Sequence, residues 1–323
     1  MAAGMLSRRG FAALLAGGMA GAASAQPAGR PVRIVLGFAA GGGSDAMMRV
    51  LALQLTQQLG QTVLIDNRPG AEGVIAADSV ARAAPDGTTL FFASNGPLVA
   101  LPILRGKASV SYDPFKDFTP VALMGRFTMV MVAAPNLPVR DFREFVQYAR
   151  SKPGGLNYAS ANTVTRMAAI QLMAQTKTEL VHVPYKGDSA ALLDLIADRV
   201  QMMFTTAAAV RGHVKENKVR PLLVLGNNRS PVLPDVPTAT EAGVRITASP
   251  WAGLYAPANT PAATVERLNK ALRASLSTAE VRDQMDKLGF EPTPSSPAEM
   301  AALHRAEYDL FDKTVNQDGV KFE

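Results

Sequence analysis

The sequence predicts an α/β protein of two domains, each built on a mainly parallel sheet covered by helices, and three observations predict it. Strand-like and helix-like stretches alternate from residue 31 onward with short connections, the pattern of β-α-β crossovers. The chain has 323 residues, more than the roughly 100–200 of an average domain. The strand-like runs are too numerous for one sheet in a chain of this size, so two smaller sheets fit better.

The elements follow in order. VRIVLGF (32–38) is a short apolar run ending in glycine, suited to a strand buried on both faces. Met47, Leu51, Leu55 and Leu59 recur every four residues, marking one apolar helical face that Gly60 closes. TVLID (62–66) is a second strand, Val74, Ala77 and Val80 mark a helix, and TTLFFA (88–93) is a third strand after the turn Pro85-Asp86-Gly87. TMVMVAA (128–134) is the next strand, and Phe142, Phe145, Val146 and Ala149 form a helical face. Strands at LNYA, 179–183, 200–204 and 219–225 then alternate with helices near 164–175 and 188–198. After Trp251 the chain reads as mostly helical, with helices opening at Pro261, near Glu280 and at Pro297. Proline is well placed at a first helical position, where its missing N–H has no intrahelical partner. Residues 119–135 and 245–257 are the stretches where the chain crosses between domains, which assigns 30–124 plus 251–323 to one lobe and 125–250 to the other.

Composition narrows the chemistry. Hydrophobic residues make up 48% and charged residues 19%, enough for a real core. The absence of cysteine removes disulfides, thiolate metal sites and cysteine nucleophiles. His182, His213 and His304 stand singly, without metal-ligand spacing. The charge is +6, two units of it from Arg8 and Arg9, and no basic stripe interleaved with aromatics points to nucleic acid. There is no GxSxG elbow, because Gly42-Gly43-Ser44-Asp45-Ala46 fails at its last position. Asp194 and Asp198, four apart, read as a solvated helix face.

The N-terminus reads as an address. SRRGF (7–11) heads the apolar run 12–22, and Ala23-Ser24-Ala25 supplies a cleavage site, so 1–25 is expected to be a twin-arginine-like export signal and the protein periplasmic. That run is too short to span a bilayer, and no other segment is long and apolar enough to be embedded in one.

GFAAGGGSDA (37–46) is the most informative stretch for chemistry. A glycine turn between a strand and a helix aims backbone N–H groups and the positive helix end at one point, an anion site. Ser44 and Asp45 there also suit helix capping. Gly41, Gly43 and Ala46 satisfy the dinucleotide pattern G-x-G-x-x-A, and Asp66 ends the next strand, so an exported NAD-dependent oxidoreductase stays open. Against it, Asp45 at the helix entrance would repel a pyrophosphate, and an exported protein meets no free dinucleotide pool.

The chain resembles the Bug-type receptors, the substrate-binding proteins of tripartite tricarboxylate transporters. The resemblance is carried by PVRIVLGFAAGGGSD (31–45), DNRPGAEG (66–73), VARAAPDGTTL (80–90), HVPYKG (182–187), RSPVLPDVPTATEAG (229–243) and WAGLYAPANTPAATVERLNKAL (251–272), collinear over nearly the whole chain. It implies a two-lobed periplasmic-binding fold, type II-like, with parallel or mixed sheets flanked by helices and a ligand cleft between the lobes. It further implies no catalysis, no cofactor, and a monomer that carries a small organic carboxylate to membrane transporter components, or to a sensor protein. Carried onto this sequence, the resemblance places ligand on Phe38, Ala39, Ala40, Gly41 and Gly42, with Ser44, Asp45 and Ser94 beside them in one lobe. From the other lobe come Ser160, Ala161, Asn162 and Thr163, then Tyr185, Lys186, Gly187 and Thr205. Two departures fall at the far end of the ligand. Arg166 stands near the usual histidine, and Thr205 follows Phe204 where relatives often carry an acid, which disfavours an amino-acid ligand. Tyr185, Lys186 and Trp251 also have ordinary structural explanations, as packing, turn and hinge residues, and His182 reads as a loop anchor.

Overall fold

A computed structural model describes residues 29–316 apart from 105, 107–109, 186, 227, 231, 247 and 249. The expected export signal and Lys186 lie outside the described residues. Among the described residues, no helix is long and apolar enough to cross a membrane.

Two sheets carry the fold. The first is ordered β11-β4-β10-β3-β1-β2. Its β1 (Val32–Leu36), β2 (Val63–Asn67) and β3 (Thr89–Ala93) are parallel, with Ile34 opposite Ile65 and Leu90. β4 (Phe118–Phe127), β10 (Trp251–Pro257) and β11 (Phe290–Pro292) complete it, β10 antiparallel to β3 and β4, and β11 antiparallel to β4. The second sheet is ordered β7-β6-β8-β5-β9. There β6 (Asn157–Ser160) runs parallel to β7 (Val181–Pro184) and β8 (Met202–Thr206). β5 (Met129–Ala133) runs antiparallel to β8 and to β9 (Arg220–Val224).

The sheets are therefore mixed rather than parallel. The antiparallel pairings belong to the strands that carry the chain between sheets. β4 passes directly into β5, and β10 brings the chain back, so each joins its sheet without a crossover helix. Strand β11, three residues long, carries no alternation that a sequence pattern could show.

Helices fill the crossovers. α1 (Gly43–Leu59) buries Met47, Met48, Leu51 and Leu55 and ends as its periodicity predicts, with Gly60 at φ 62° donating its N–H to the Thr56 carbonyl. α2 (Val74–Ala81) links β2 to β3. A π-helical turn, Gly96–Ala100, runs on into α3 (Leu101–Leu104). The second sheet carries α4 (Phe142–Ser151), α5 (Thr163–Thr176), α6 (Asp188–Ile196) and α7 (Ala207–Lys215). α8 (Ala262–Leu276), α9 (Ala279–Lys287) and α10 (Pro297–Asn316) follow β10.

From Ile34 to Leu36, β1 is buried on both faces, which explains its apolar run, while Arg33 is exposed. Ile34 and Leu36 pack with Met47 and Leu51 of α1 and Leu272 of α8. Val35, between them, faces a different core that holds Phe91, Trp251 and Phe311 and continues into Met129, Tyr158 and Phe204 of the second sheet. That shared core joins the two lobes behind the cleft.

At its centre α10 carries His304, 2% exposed, stacked on Phe115 at 4.5 Å, with Nε2 3.1 Å from the Leu98 carbonyl. Burial holds its pKa down, from 6.5 to about 4. Between these values the unfolded chain binds a proton that the folded chain refuses, so stability falls as pH falls. Wild-type protein is expected to lose about 3 kcal/mol between pH 7 and pH 4 through this group. His304→Phe should flatten that part of the profile, and urea unfolding at pH 7, 5.5 and 4 measures it.

Candidate ligand cleft

The C-terminal ends of parallel strands are where α/β sheets place their ligands. Here those ends are β1, β2 and β3 in one lobe and β6 and β7 in the other. A separate cavity of about 500 Å³, lined by Arg126, Thr128, Gly226, Arg229, Arg245 and Glu307 among others, receives none of these loop ends.

Close backbone approach builds the first rim. A side chain on Gly37 would place its Cβ 2.5 Å from the Gly73 Cα, so the β1 end and the 70–73 turn can touch only because position 37 is glycine. Gly41 sits at φ +82°, a left-handed conformation that glycine adopts without strain. The helix then begins earlier than expected. Its N-cap is Gly42, with no side-chain cap, and Ser44 and Asp45 lie inside the first turn rather than capping it.

Asp45 has another task. Its side chain, 4% exposed, turns back so that Oδ2 accepts the Gly41 N–H at 2.9 Å and Arg49 Nε at 2.9 Å. The Arg49 hydrogen bond, then that from Gly41, hold its pKa down at about 2. The carboxylate is thus fixed in its charged form as the strut of the loop. The correction concerns Gly41, whose amide is taken by Asp45. The amides left without an intrahelical partner by helix geometry are those of Gly43, Ser44 and Asp45, the first three residues of α1. Phe38, Ala39, Ala40 and Gly42 are exposed on the rim. The Phe38 ring stands edge-on to Phe92 at 5.9 Å, and its carbonyl accepts Asn67 Nδ2 at 3.1 Å. Ser94 is half-buried just beyond β3.

The second rim is held from below. Ser160 ends β6, buried, with Oγ 2.7 Å from His182 Nε2, so His182 anchors the loop. Asn162 caps α5 through a capping box with Thr165. The amides of Ala161 and Asn162, expected to face ligand, are instead within 3.2 and 3.3 Å of Thr165 Oγ1. Tyr185 donates its N–H to the Ser160 carbonyl at 2.9 Å and its hydroxyl to Asp194 at 2.7 Å, leaving the side of its ring on the cleft. Gly187 is the N-cap of α6. Asp194 also pairs with Arg199, while Asp198 lies past the end of α6 at φ 59°, so these two acids do not share a helix face.

Thr205 does not reach the cleft as a free hydroxyl. It is fully buried and donates to Asp188 Oδ2 at 3.2 Å. Asp188 is half-buried, its Oδ1 enclosed without a hydrogen-bond donor, and burial raises its pKa. An acid therefore stands beside Thr205, brought from α6 to β8 by the fold, and the sequence around Phe204 carries no sign of it.

Between the rims lies a cavity of about 370 Å³ whose lining includes Glu72, Ser160, Thr163, Arg166, His182 and Tyr185. Arg166 gives it positive charge. Burial and then the Arg166 charge hold the His182 pKa down, and burial raises that of Tyr158 while Arg166 pulls it back. A hydrogen bond crosses the cavity, from Thr163 Oγ1 to Glu72 Oε2 at 2.9 Å.

Behind the cleft a polar cluster ties the crossings together. Glu307 of α10 accepts Arg126 Nη2 at 2.9 Å, Trp251 Nε1 at 2.6 Å and Asn95 Nδ2 at 2.8 Å. Asn95 in turn accepts the Trp251 N–H at 2.9 Å. Sequence reasoning marked Trp251 as a hinge residue but missed Glu307, which looks like any other acid on an amphipathic helix.

A family model described as the tripartite tricarboxylate transporter family receptor matches residues 47–317. The chain belongs to that family. A UPF0065 protein of a Pseudomonas species, from a tcbD-tcbE intergenic region, is 35% identical over 88% of this chain and 85% of its own length. MatC from Rhodopseudomonas palustris, solved with bound malate, is 33% identical, with a TM-score of 0.73 over 89% of this chain and 99% of its own. A second R. palustris protein, solved with adipate, is 32% identical, with a TM-score of 0.76 over 90% of this chain and 97% of its own. Membership agrees with the resemblance read from the sequence, and the two-lobed architecture is that of periplasmic binding proteins.

Proposed function

We propose that this receptor captures a small organic carboxylate between its lobes and delivers it, in the closed form, to a tripartite tricarboxylate-type membrane transporter. The observation that carries the reading is the pairing of the two rims. One is the glycine-loop rim with its Glu72 turn, packed against Gly37, and the other is the start of α5 with Thr163 and Arg166; Glu72, Thr163 and Arg166 line a cavity of about 370 Å³. Amides, a hydroxyl and one guanidinium, closed off from bulk water, are sufficient to hold a carboxylate. The malate and adipate of the two similar structures support the same ligand class.

The protein acts in this reading as a periplasmic monomer, exported by its first 25 residues, without catalysis and without a cofactor. The dinucleotide reading is disfavoured by Asp45, whose fixed negative charge stands where a pyrophosphate would sit. Asp66, the acid that would hold a ribose, is paired with Arg68 at 2.9 Å.

A thermal-shift panel of mono-, di- and tricarboxylates, amino acids and NAD(H) against the protein from Gln26 onward tests the reading. A carboxylate that binds should stabilise the fold by about 2.7 kcal/mol at a hundredfold excess over its dissociation constant. Stabilisation by NAD(H) with no carboxylate responding would overturn it.

A further inference from the structure

The carboxylate of Glu72 reaches across the cleft from one lobe and rests on the other. Glu72 sits at φ +53°, ψ +33°, in the turn Ala71–Gly73 between Gly70 and Gly73. Its Oε2 accepts Thr163 Oγ1 at 2.9 Å, and both residues line the cavity that also holds Arg166. A carboxylate therefore already lies on a hydroxyl, beside a guanidinium, inside the cavity read here as the ligand site.

We propose that Glu72 is a specificity-determining residue, a tethered carboxylate that occupies the subsite for the far end of the ligand and competes with a second carboxylate there. The inference rests on the carboxylate reading of the cleft and names which carboxylates it favours. A ligand with one carboxylate and a neutral far end can bind the first rim while Glu72 keeps its place on Thr163. A dicarboxylate must either displace Glu72 or bring a second negative charge beside it. Displacement breaks the cross-cleft hydrogen bond, and coexistence sets two like charges side by side, which repel. The tether is short and its turn is hemmed in: a Cβ on Gly73 would meet Pro97 at 3.3 Å, and one on Gly96 would meet the Glu72 carbonyl at 3.5 Å. Glu72 is thus presented to the cavity by a constrained turn rather than by a long loop, which makes it an effective competitor.

Titration calorimetry of wild type, Glu72→Gln and the double variant Glu72→Gln/Thr163→Val tests the proposal. The probes are succinate, glutarate and adipate, each beside the monocarboxylate of equal length: butyrate, valerate and hexanoate. Glutamine keeps the shape and an oxygen for Thr163 but removes the charge. Dicarboxylate affinity should rise about tenfold in Glu72→Gln, a change of about 1.4 kcal/mol. Monocarboxylate affinity should change by less than about threefold, since no second charge is involved. The gain should shrink in the double variant, where the subsite has lost its hydroxyl. Equal gains for both series, or an unchanged or weaker dicarboxylate affinity, would overturn the proposal while leaving the carboxylate trap standing. A gain that survives whole in the double variant would overturn the placement of the subsite on Thr163. Failure of every carboxylate to bind either wild type or variant would instead remove the underlying carboxylate reading, and the proposal with it.

Discussion

Replacing Glu307 with leucine is expected to cost about 3 kcal/mol of folding stability, the largest single loss outside the apolar core. The carboxylate accepts from Arg126, Trp251 and Asn95 at once. Its side chain is only 12% exposed, and burial raises its pKa against the pull of Arg126. Leucine would leave an indole N–H, an amide and a guanidinium facing a hydrocarbon surface. These donors stand at the ends of β4, β10 and β3, where the chain passes between lobes, so the damage falls on the hinge. Trp251, the single tryptophan of the chain, reports it directly. Its emission should shift in native buffer, and urea unfolding should show a lower midpoint with an unchanged slope. Glu307→Gln, which retains an acceptor for Trp251, should lose less. A loss below about 1 kcal/mol in the leucine variant would mean that water replaces the carboxylate without penalty.

Asp45→Ala is expected to weaken carboxylate binding by about tenfold or more. The side chain holds the Gly41 amide at 2.9 Å and Arg49 at 2.9 Å. Without it the exposed loop 38–42 keeps its ends, the Asn67 contact to Phe38 and the Phe38–Phe92 ring contact, but loses the tie on Gly41. Ordering one released residue again on binding requires about 1–2 kcal/mol, which is roughly tenfold in affinity. The pH dependence follows from the depressed pKa. Asp45 contributes fully above about 4, the range where the unfolded carboxylate is also charged, and its contribution is lost as pH falls through about 2. Binding by wild type should therefore not be lost through this group until pH falls toward its folded pKa of about 2. Titration calorimetry of the two proteins at pH 7 measures the mutational effect. Unchanged affinity would make the strut dispensable.

The contrast between these two residues explains what the sequence could reveal. Local signals were readable. The four-residue spacing of Met47, Leu51 and Leu55 and the stop at Gly60 describe α1 well, because helix periodicity and a left-handed C-cap need no distant partner. The strand–turn–helix order of the glycine loop was legible for the same reason, since the three follow one another within 37–46. What failed was non-local. Asp45 looked like a cap, yet it reaches backward to an amide that the loop geometry brings near. The Thr205–Asp188 pair joins residues 17 apart, and the Glu307–Asn95 pair residues 212 apart. No spacing rule announces either. The mixed sheets were hidden likewise. An apolar run such as that of β5 is buried on both faces whichever way its neighbours run, and direction depends on where the chain enters the sheet. The π-helical turn at Gly96–Ala100 left no mark, because its apolar residues fit any buried segment.

The central claim is that a carboxylate is held by both rims at once, and hydrogen–deuterium exchange on the protein from Gln26 onward, with and without a saturating carboxylate, tests it most directly. The expected result is slowed exchange in two separate segments, the start of α1 with its glycine loop and the 160–163 loop with the start of α5. Protection confined to one lobe, or a cleft that stays unprotected while the separate 500 Å³ cavity becomes protected, would contradict it.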